Sequence, residues 1–526
     1  VSDRRRVVVV TGGGGGIGAA IAESIGGAGA FVVTVDPLVS VDGSEQLPQP
    51  EETTAGRIVA AGGAARASGV SVTDEPGIRR LFGELADEFG GLDAVVNVAG
   101  ISRPTGFAKG SDDDWRRVLS VHLGGYRNVL TAALPLMAAA GRGHILGVTS
   151  GSGWRSADAG AYGCAKRAVA SLTWQLGRYA PPGVVINAIS PIAATRMVTA
   201  ALGGKLPAGG AATGGLSLGA MPAPADLGPL GAHLVSDTFA SCHGKVLFAG
   251  GSEVAVIDEP RLIEVVRSDD VPSSAHVLEA ATTIALAKAE ANQVSGGGSN
   301  ARFGSTFAVA PTEGLPFSAV RTCAVASDRP EATRAMTDAL EARGVTCHAI
   351  DSPTALADLD GVDALVVAMT GQPAAGVGSA WERILAEHDG IVEGIHADAR
   401  WVRAVADLAA TSDLPIRLVT VTEATTGGGR SRARASAQLA RAGRKATGDL
   451  VLPFAVSAES DDVPGDLVAH LVCSPEAVGL AGAELVAGAG WFGLRSHPRP
   501  IGSISFGGPA VPHWFDDTLR EVVQPR

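Results

Sequence analysis

The 526-residue sequence predicts an α/β chain of two tandem domains, each a doubly wound, mostly parallel sheet covered by helices on both faces. Three observations carry this expectation. Short apolar runs alternate with amphipathic helical patterns through the first 260 residues, the signature of strand–helix–strand crossovers. The same alternation resumes near Val320, after a change of composition. The second half also repeats the first. GLDAVVNVAG at 91 answers GVDALVVAMT at 361, and WRRVLSVH (Trp115–His122) answers WERILAEH (Trp381–His388). The block from Ser236 aligns without gaps to the block from Ser474, so that Ser236, Gly244, Gly250, Pro260 and Arg261 each recur 238 residues later.

Taken in order, Val7–Val10, Phe31–Val35, Ala94–Val98, His144–Val148 and Val184–Ile189 read as strands. Each is a short apolar run, as suits a parallel sheet buried on both faces. EPGIRRLFGELADEFG and DDDWRRVLSVHLGGYRNVLTAALPLM read as amphipathic helices between them. HVLEAATTIALAKAEANQ reads as one helix, followed by the linker VSGGGSNARFG. This gives a first domain over 1–265, a helix and linker over 266–318, and a second domain over 319–526. TCAVAS, ALVVAM and IRLVTV are strands of the second domain.

Composition narrows the function. A net charge of −12 disfavours nucleic acid and anionic membranes as partners. No apolar run reaches 18 residues, and VSDRRR leads into VVVVT without the pattern of a signal peptide. The five cysteines are scattered, with no CxxC or Cys/His cluster, which argues against zinc and against a disulfide framework. The expectation is a soluble, cytoplasmic protein with a small-molecule substrate and no metal.

VVVVTGGGGGIGAAIAESIGGAGAFVVTVD is a strand, a glycine loop, a helix, a second strand and an acid. Glycines let backbone approach a pyrophosphate at a helix N-terminus, so both domains are expected to be Rossmann-like and the first to bind a dinucleotide. Asp36, closing the second strand, can accept both ribose hydroxyls and would repel a 2′-phosphate. NAD is therefore expected over NADP.

YGCAK places Tyr162 and Lys166 one helical turn apart. Oxidising a secondary alcohol needs a base, and a tyrosine with a pKa of about 10 becomes one only beside a cation. Together with TGGGGGIG (Thr11–Gly18), NVAG (Asn97–Gly100), Ser150 and NAISPIAAT (Asn187–Thr195), this pair makes residues 5 to about 262 resemble the short-chain dehydrogenases/reductases. VHLGG, TSGSG and SPIAATRM are similar to the dehydrogenase units of peroxisomal-type multifunctional β-oxidation enzymes.

The resemblance implies an NAD(P)-dependent oxidoreductase interconverting a secondary alcohol and a ketone, either a 3-hydroxyacyl thioester (of coenzyme A or a carrier protein) or a hydroxysteroid. It implies that Gly12, Gly15, Gly16, Ile17 and Gly18 cradle the phosphates, and that Val72, Asn97, Ala99 and Gly100 line the ribose and adenine side. Pro191, Ile192 and Thr195 would contact the nicotinamide end, Thr195 through the carboxamide. Tyr162 would be the base, with Lys166 lowering its pKa and holding the ribose. Ser150 would position the substrate oxygen, with Ser152 as the alternative. His122 stands where the family carries an asparagine, and a supporting role is expected for it. Ser71, Val98 and the Pro191-Ile192 dipeptide also depart from the family's usual residues.

Residues 313–526 contain no tyrosine. The glycine loop there has become ASDRPEAT, Val367 aligns with Asn97, Glu423 aligns near Ser150, and TGGGRSRARASAQLARAGRK replaces the Tyr-Lys helix. Members of the family pair through two long helices of each subunit, so the second domain is expected to act as a fused pseudo-subunit. The particle would be a monomer or homodimer of pseudo-dimeric or pseudo-tetrameric shape. The arginines of that basic helix are expected to be solvated, or else to attract an anionic tail such as that of coenzyme A. Residues 198–225 are expected to form a substrate lid. The competing reading, an NAD-binding regulatory or scaffold protein, has the intact Tyr162–Lys166 pair against it.

Overall fold

The computed structural model describes residues 4–107, 109–155, 158–201, 221–267, 275–293, 319–370 and 378–524. Most of the expected lid and linker lies outside these residues. The strands are β1 (Val7–Thr11), β2 (Phe31–Val35), β3 (Ala64–Ser68), β4 (Ala94–Asn97), β5 (Gly143–Val148), β6 (Val184–Pro191), β7 (Val246–Gly250), β8 (Glu253–Ile257) and β9 (Leu262–Arg267) in the first half. In the second half they are β10 (Thr322–Ser327), β11 (Thr346–Ala349), β12 (Ala364–Met369), β13 (Ile416–Glu423), β14 (Val451–Ala458), β15 (Glu484–Gly488), β16 (Trp491–Arg495) and β17 (Pro500–Ser505).

They build two sheets, ordered β17-β8-β7-β6-β5-β4-β1-β2-β3 and β11-β10-β12-β13-β14-β15-β16-β9. Pairing is parallel from β3 to β7 and from β11 to β15, and antiparallel at the other edge of each sheet. The fold is thus α/β with two doubly wound units. β1 is apolar up to its last residue and buried throughout, because helices cover both faces of its sheet.

The last strands are exchanged. β9 pairs with β16 in the second sheet, and β17 pairs with β8 in the first. β7, β8 and β9 correspond to β15, β16 and β17 at a constant offset of 238 residues, so the exchange is reciprocal. The following helices go with their strands. The helical stretch Ala275–Ala291, which contains a π-helical segment at Thr282–Leu286, buries Leu278 and Leu286 in the second core. Helix Phe515–Val523 buries Phe515 and Leu519 in the first core, and His233 Nε2 lies 2.8 Å from Asp516 Oδ1. The links 258–261 and 496–499 pair with each other where they cross. Ser496 N donates to Arg261 O at 2.7 Å, and Asp258 N donates to Arg499 O at 2.8 Å. The two halves of the chain therefore each lend a terminal strand to the other's sheet, and β9 runs two residues past the expected boundary at 265.

The units also meet along the Gly160–Tyr179 and Gly427–Thr447 helices, flanked by Gly125–Ala140 and Ile391–Ser412. This corrects the expectation that the arginine-rich helix is a solvated face. Arg432 is buried and doubly hydrogen-bonded to Asp398 at 2.7 and 2.8 Å. Glu484, on β15, gathers Arg167 of the first unit with Arg434 (2.6 Å) and Arg441 (3.3 Å) of the second. Arg444 pairs with Asp449 at 2.5 Å. Asp398 and Glu484 come from elsewhere in the chain and Asp449 from just past the helix, and together they offset enough charge for most of the helix to be buried. Arg432, Arg434, Arg441 and Arg444 are therefore engaged within the chain, while Arg430 and Lys445 of the same helix are exposed.

Beside this cluster, Gln175 Nε2 donates to Gly427 O at 3.1 Å and to Ser431 Oγ at 3.0 Å, and His388 Nε2 lies 2.8 Å from Ser431 Oγ. No helix among the described residues is long and apolar enough to cross a membrane.

Candidate active site

A cavity of about 650 Å³ opens at the carboxyl ends of β1, β2, β4, β5 and β6, where an open parallel sheet of this order leaves its crevice. Its floor is the glycine loop. Gly12 has φ +65, and a Cβ there would come within 2.8 Å of Ala99 N, so the β1 and β4 loops touch through backbone alone. Gly15 and Gly16 are different. A Cβ on either would meet only the Arg196 guanidinium (3.2 Å) or Thr195 Cγ2 (3.8 Å), so the cavity side of this loop is open. Helix Gly16–Gly27 starts there with no side-chain cap, leaving its first N–H groups free for an anion. This loop fits a dinucleotide pyrophosphate.

Asp36 lies at the rim. Its Oδ2 accepts from Gly14 N at 3.0 Å and its Oδ1 from Leu38 N at 2.8 Å, which fixes the carboxylate beside the loop. Val72, Ala99, Gly100, Ile17, Pro191 and Thr195 line the cavity. Asn97, Gly18, Ile192 and Ser150 are not part of its lining. Asn97 Oδ1 instead accepts from Thr11 Oγ1 at 2.8 Å, tying β4 to β1 behind the loop. Gly18 allows the helix to close on Gly12, whose carbonyl oxygen would lie 2.2 Å from a Cβ. The Ile192 side chain packs against the cluster around Trp154.

The sequence reading missed the strap that follows β2. Val39, Ser40, Val41 and Gly43 line the cavity together with Asp36. The strap is moored by Ser102 N to Val41 O (2.8 Å) and by Arg103 Nε to Asp42 O (2.6 Å), with Arg103 also paired to Asp114. Its polar, proline-flanked composition reads as an ordinary loop, so no local signal marks it.

At the other end of the cavity the structure brings Tyr162, Ser150, Lys166 and His122 together. Ser150 lies close enough to the Tyr162 hydroxyl to favour its phenolate. Burial pushes the Tyr162 pKa up, and Ser150 and the positive charge of Arg155 work against it. Lys166 Nζ donates to Val148 O at 2.7 Å and sits 5.6 Å from the centre of the Tyr162 ring. Burial pulls the Lys166 pKa down to about 7. Ser152, by contrast, contacts Arg155 through its hydroxyl at 3.3 Å.

His122 lies in a π-helical turn, Ser120–Gly124, which joins helices Asp112–Leu119 and Gly125–Ala140. Such turns interrupt helices at functional positions. The His122 ring stands edge-on to Tyr162, centroids 5.1 Å apart, and Nε2 lies 2.8 Å from Ile101 O. Burial, and then the Lys166 charge, push its pKa down to about 3, so the ring is neutral.

The second unit lacks this arrangement. Asp328 occupies the former glycine loop and accepts from Thr370 N at 2.9 Å. Pro330, which has no N–H, opens the following helix. A carboxylate thus stands where a phosphate would bind. Among the described residues, no cluster of histidine, cysteine and carboxylate side chains could hold a metal ion.

Glycine loop, acid, tyrosine and lysine around one crevice, with Ser150 beside the tyrosine, define a dinucleotide-dependent oxidoreductase site. The family model for short chain dehydrogenase matches residues 6–203. The chain is 36% identical over 184 residues to the short-chain reductase protein NovJ of Streptomyces niveus, covering 35% of this chain and 67% of that one. It is 34% identical over 243 residues to cis-4-hydroxycyclohexanecarboxylate dehydrogenase of Sinomonas cyclohexanicum, covering 46% and 93%. With the peroxisomal hydratase-dehydrogenase-epimerase of Neurospora crassa it shares 31% over 241 residues, 45% of this chain and 25% of that one. A solved short chain dehydrogenase from Mycobacterium avium is similar at 33% identity and a TM-score of 0.39, covering 48% and 85%. The chain belongs to the short-chain dehydrogenase/reductase family and is an NAD(P)-dependent oxidoreductase.

Proposed function

We propose that the chain interconverts a secondary alcohol and a ketone with NAD, and that the first unit alone is catalytic. The observation that carries this reading is that Tyr162 and Lys166, with Nζ 5.6 Å from the ring centre, line the same crevice as the glycine loop. NAD, when bound, accepts hydride from the alcohol carbon. Tyr162 takes the alcohol proton in oxidation and returns it in reduction. Ser150 donates to the substrate oxygen and holds it beside Tyr162. Lys166 supplies positive charge near the phenol once the proton has left. His122, neutral and edge-on to Tyr162, keeps the phenol ring from tilting. Gly15 and Gly16 bind the pyrophosphate through backbone amides, and Asp36 takes the ribose hydroxyls and favours NAD over NADP.

The substrate is proposed to be a 3-hydroxyacyl thioester. The similarity to a hydratase-dehydrogenase-epimerase supports this, with a hydroxysteroid or a ring alcohol as the other candidates. The second unit, with Asp328 in its loop, is proposed to bind no dinucleotide and to stand in for a partner subunit.

The test is a panel of 3-hydroxyacyl-coenzyme A, hydroxysteroid and cis-4-hydroxycyclohexanecarboxylate substrates, followed through NADH absorbance. Tyr162→Phe should lower kcat about 10²–10⁴-fold while NAD affinity holds, because only the proton carrier is removed. Turnover retained by that variant would defeat the assignment.

A further inference from the structure

We propose that Gln438, a residue of the second unit, is a positioning residue for the catalytic serine of the first. This rests on the role given to Ser150 above. Ser150 caps the short turn Gly151–Gly153, and its hydroxyl accepts from Ser152 N at 3.3 Å. Within the turn, Gly153 N donates to Ser150 O at 2.9 Å, and Trp154 N and Arg155 N donate to Gly151 O, each at 3.1 Å. The carbonyls of Ser152 and Arg155 are reached from the other unit. Gln438 Nε2 donates to both, at 3.0 Å each.

The amide has two hydrogens and two carbonyls before it, so its donor capacity is filled. The reverse orientation would set Oε1 against two carbonyl oxygens, which fixes the assignment. Oε1 itself is buried without a partner, a cost to stability borne while both donors are engaged. Gln438 is fully buried, so water does not compete for these bonds.

The turn is pinned from both sides. On the first unit's side it lies directly on the Tyr162 helix, where a Cβ at Gly163 would sit 2.8 Å from Ser152 O. On the far side is the Gly427–Thr447 helix, which carries Gln438. Ser150 must keep its hydroxyl in register with Tyr162; Arg155 holds the turn through the Ser152 hydroxyl, and the side chain that ties down its two carbonyls comes from the second unit. That unit therefore does more than cover an apolar face: it completes the geometry of the active site.

The experiment compares Gln438→Met, which keeps the volume and removes both donors, with Gln438→Lys, which keeps a donor. In the NAD-bound full chain, hydrogen exchange of amides 151–155 should speed about tenfold or more in Gln438→Met. The kcat for the alcohol turned over should fall about 10- to 100-fold, with NAD affinity within about twofold. Gln438→Lys should recover most of both. Ser150→Ala/Gln438→Met should be no slower than Ser150→Ala alone, because Gln438 acts through Ser150.

Unchanged exchange at 151–155 in Gln438→Met overturns the proposal. So do equal losses in the Met and Lys variants, or an additive loss in the double variant. Full activity in Ser150→Ala would instead defeat the role of Ser150, while the exchange measurement still judges the tether.

Discussion

Glu484 offers the sharpest test of how the two units are joined. Its carboxylate is buried among three guanidinium groups, Arg167 from the first unit and Arg434 and Arg441 from the second. Burial pushes its pKa up, but the three arginines outweigh that and hold it well below the usual carboxylate range. Glu484→Gln keeps the shape and removes the charge, leaving buried cations without a counter-ion. Removing one partner of such a pair costs about 3–5 kcal/mol. Unfolding entropy of about 2 cal/mol/K per residue over a chain of this length gives a fall in Tm of about 4 °C for 4 kcal/mol, if the chain melts as one body.

The pH dependence has a defined sign. A carboxyl whose folded pKa lies below its unfolded value of about 4.3 stabilises fully above that value and loses the contribution as pH falls toward the folded one. The gap between wild type and Glu484→Gln should therefore be full at pH 6–7 and narrow steadily below about pH 4. Thermal melts followed by circular dichroism across pH 3–7 measure it. A variant that melts within about 1 °C of wild type at pH 7, with the same acid limb, would show that the cluster does not hold the units together.

Asp36→Ala should raise the preference for NADP over NAD about a hundredfold, some 2.7 kcal/mol, as measured by kcat/KM with each cofactor; an unchanged ratio would deny Asp36 its role. Calorimetry on the full chain should give one NAD per chain, because Asp328 fills the second loop. A stoichiometry of two would contradict that. Lys166 is buried and its pKa is pulled down to about 7, below its unfolded value of about 10.4, so the charged side chain costs stability. Without cofactor, Lys166→Met should melt above wild type at pH 7 and below, and the difference should shrink as pH rises toward about 10. A wild type more stable than Lys166→Met at pH 6 would refute this.

The strands of the first unit were legible wherever an apolar run stood between turn residues, as at Val7–Thr11 and Phe31–Val35. β3 was not, because AARAS is half-exposed at a sheet edge and carries no such run. The Tyr162–Lys166 pair was legible from its spacing, and the serine only to within its loop. What stayed hidden depends on partners remote in sequence. The basic helix looked solvated because nothing near it in the chain shows that Asp398 and Glu484 will meet it. Gln438 is one polar residue in an alanine-rich helix, and its two acceptors lie more than 280 residues away.

The strand exchange was hidden for another reason. β9 and β17 are copies of one element, so either sheet can take either strand, and no pattern of apolar residues distinguishes the pairings. The links favour the exchanged path. Each is four residues long and contains a proline, Pro260 or Pro498, which disfavours folding straight back as a tight hairpin. Running extended, each link reaches the other sheet, and the two are bonded where they cross. Shortening the chain to its catalytic half would therefore remove β17 and helix Phe515–Val523 from the first sheet, along with the carboxylate facing Arg167 and the amide clamping the serine turn. What the second unit supplies to the first is an edge strand, a counter-charge and a hydrogen-bond clamp, so a chain cut to its first half should be less stable than the full chain, as thermal melts would measure.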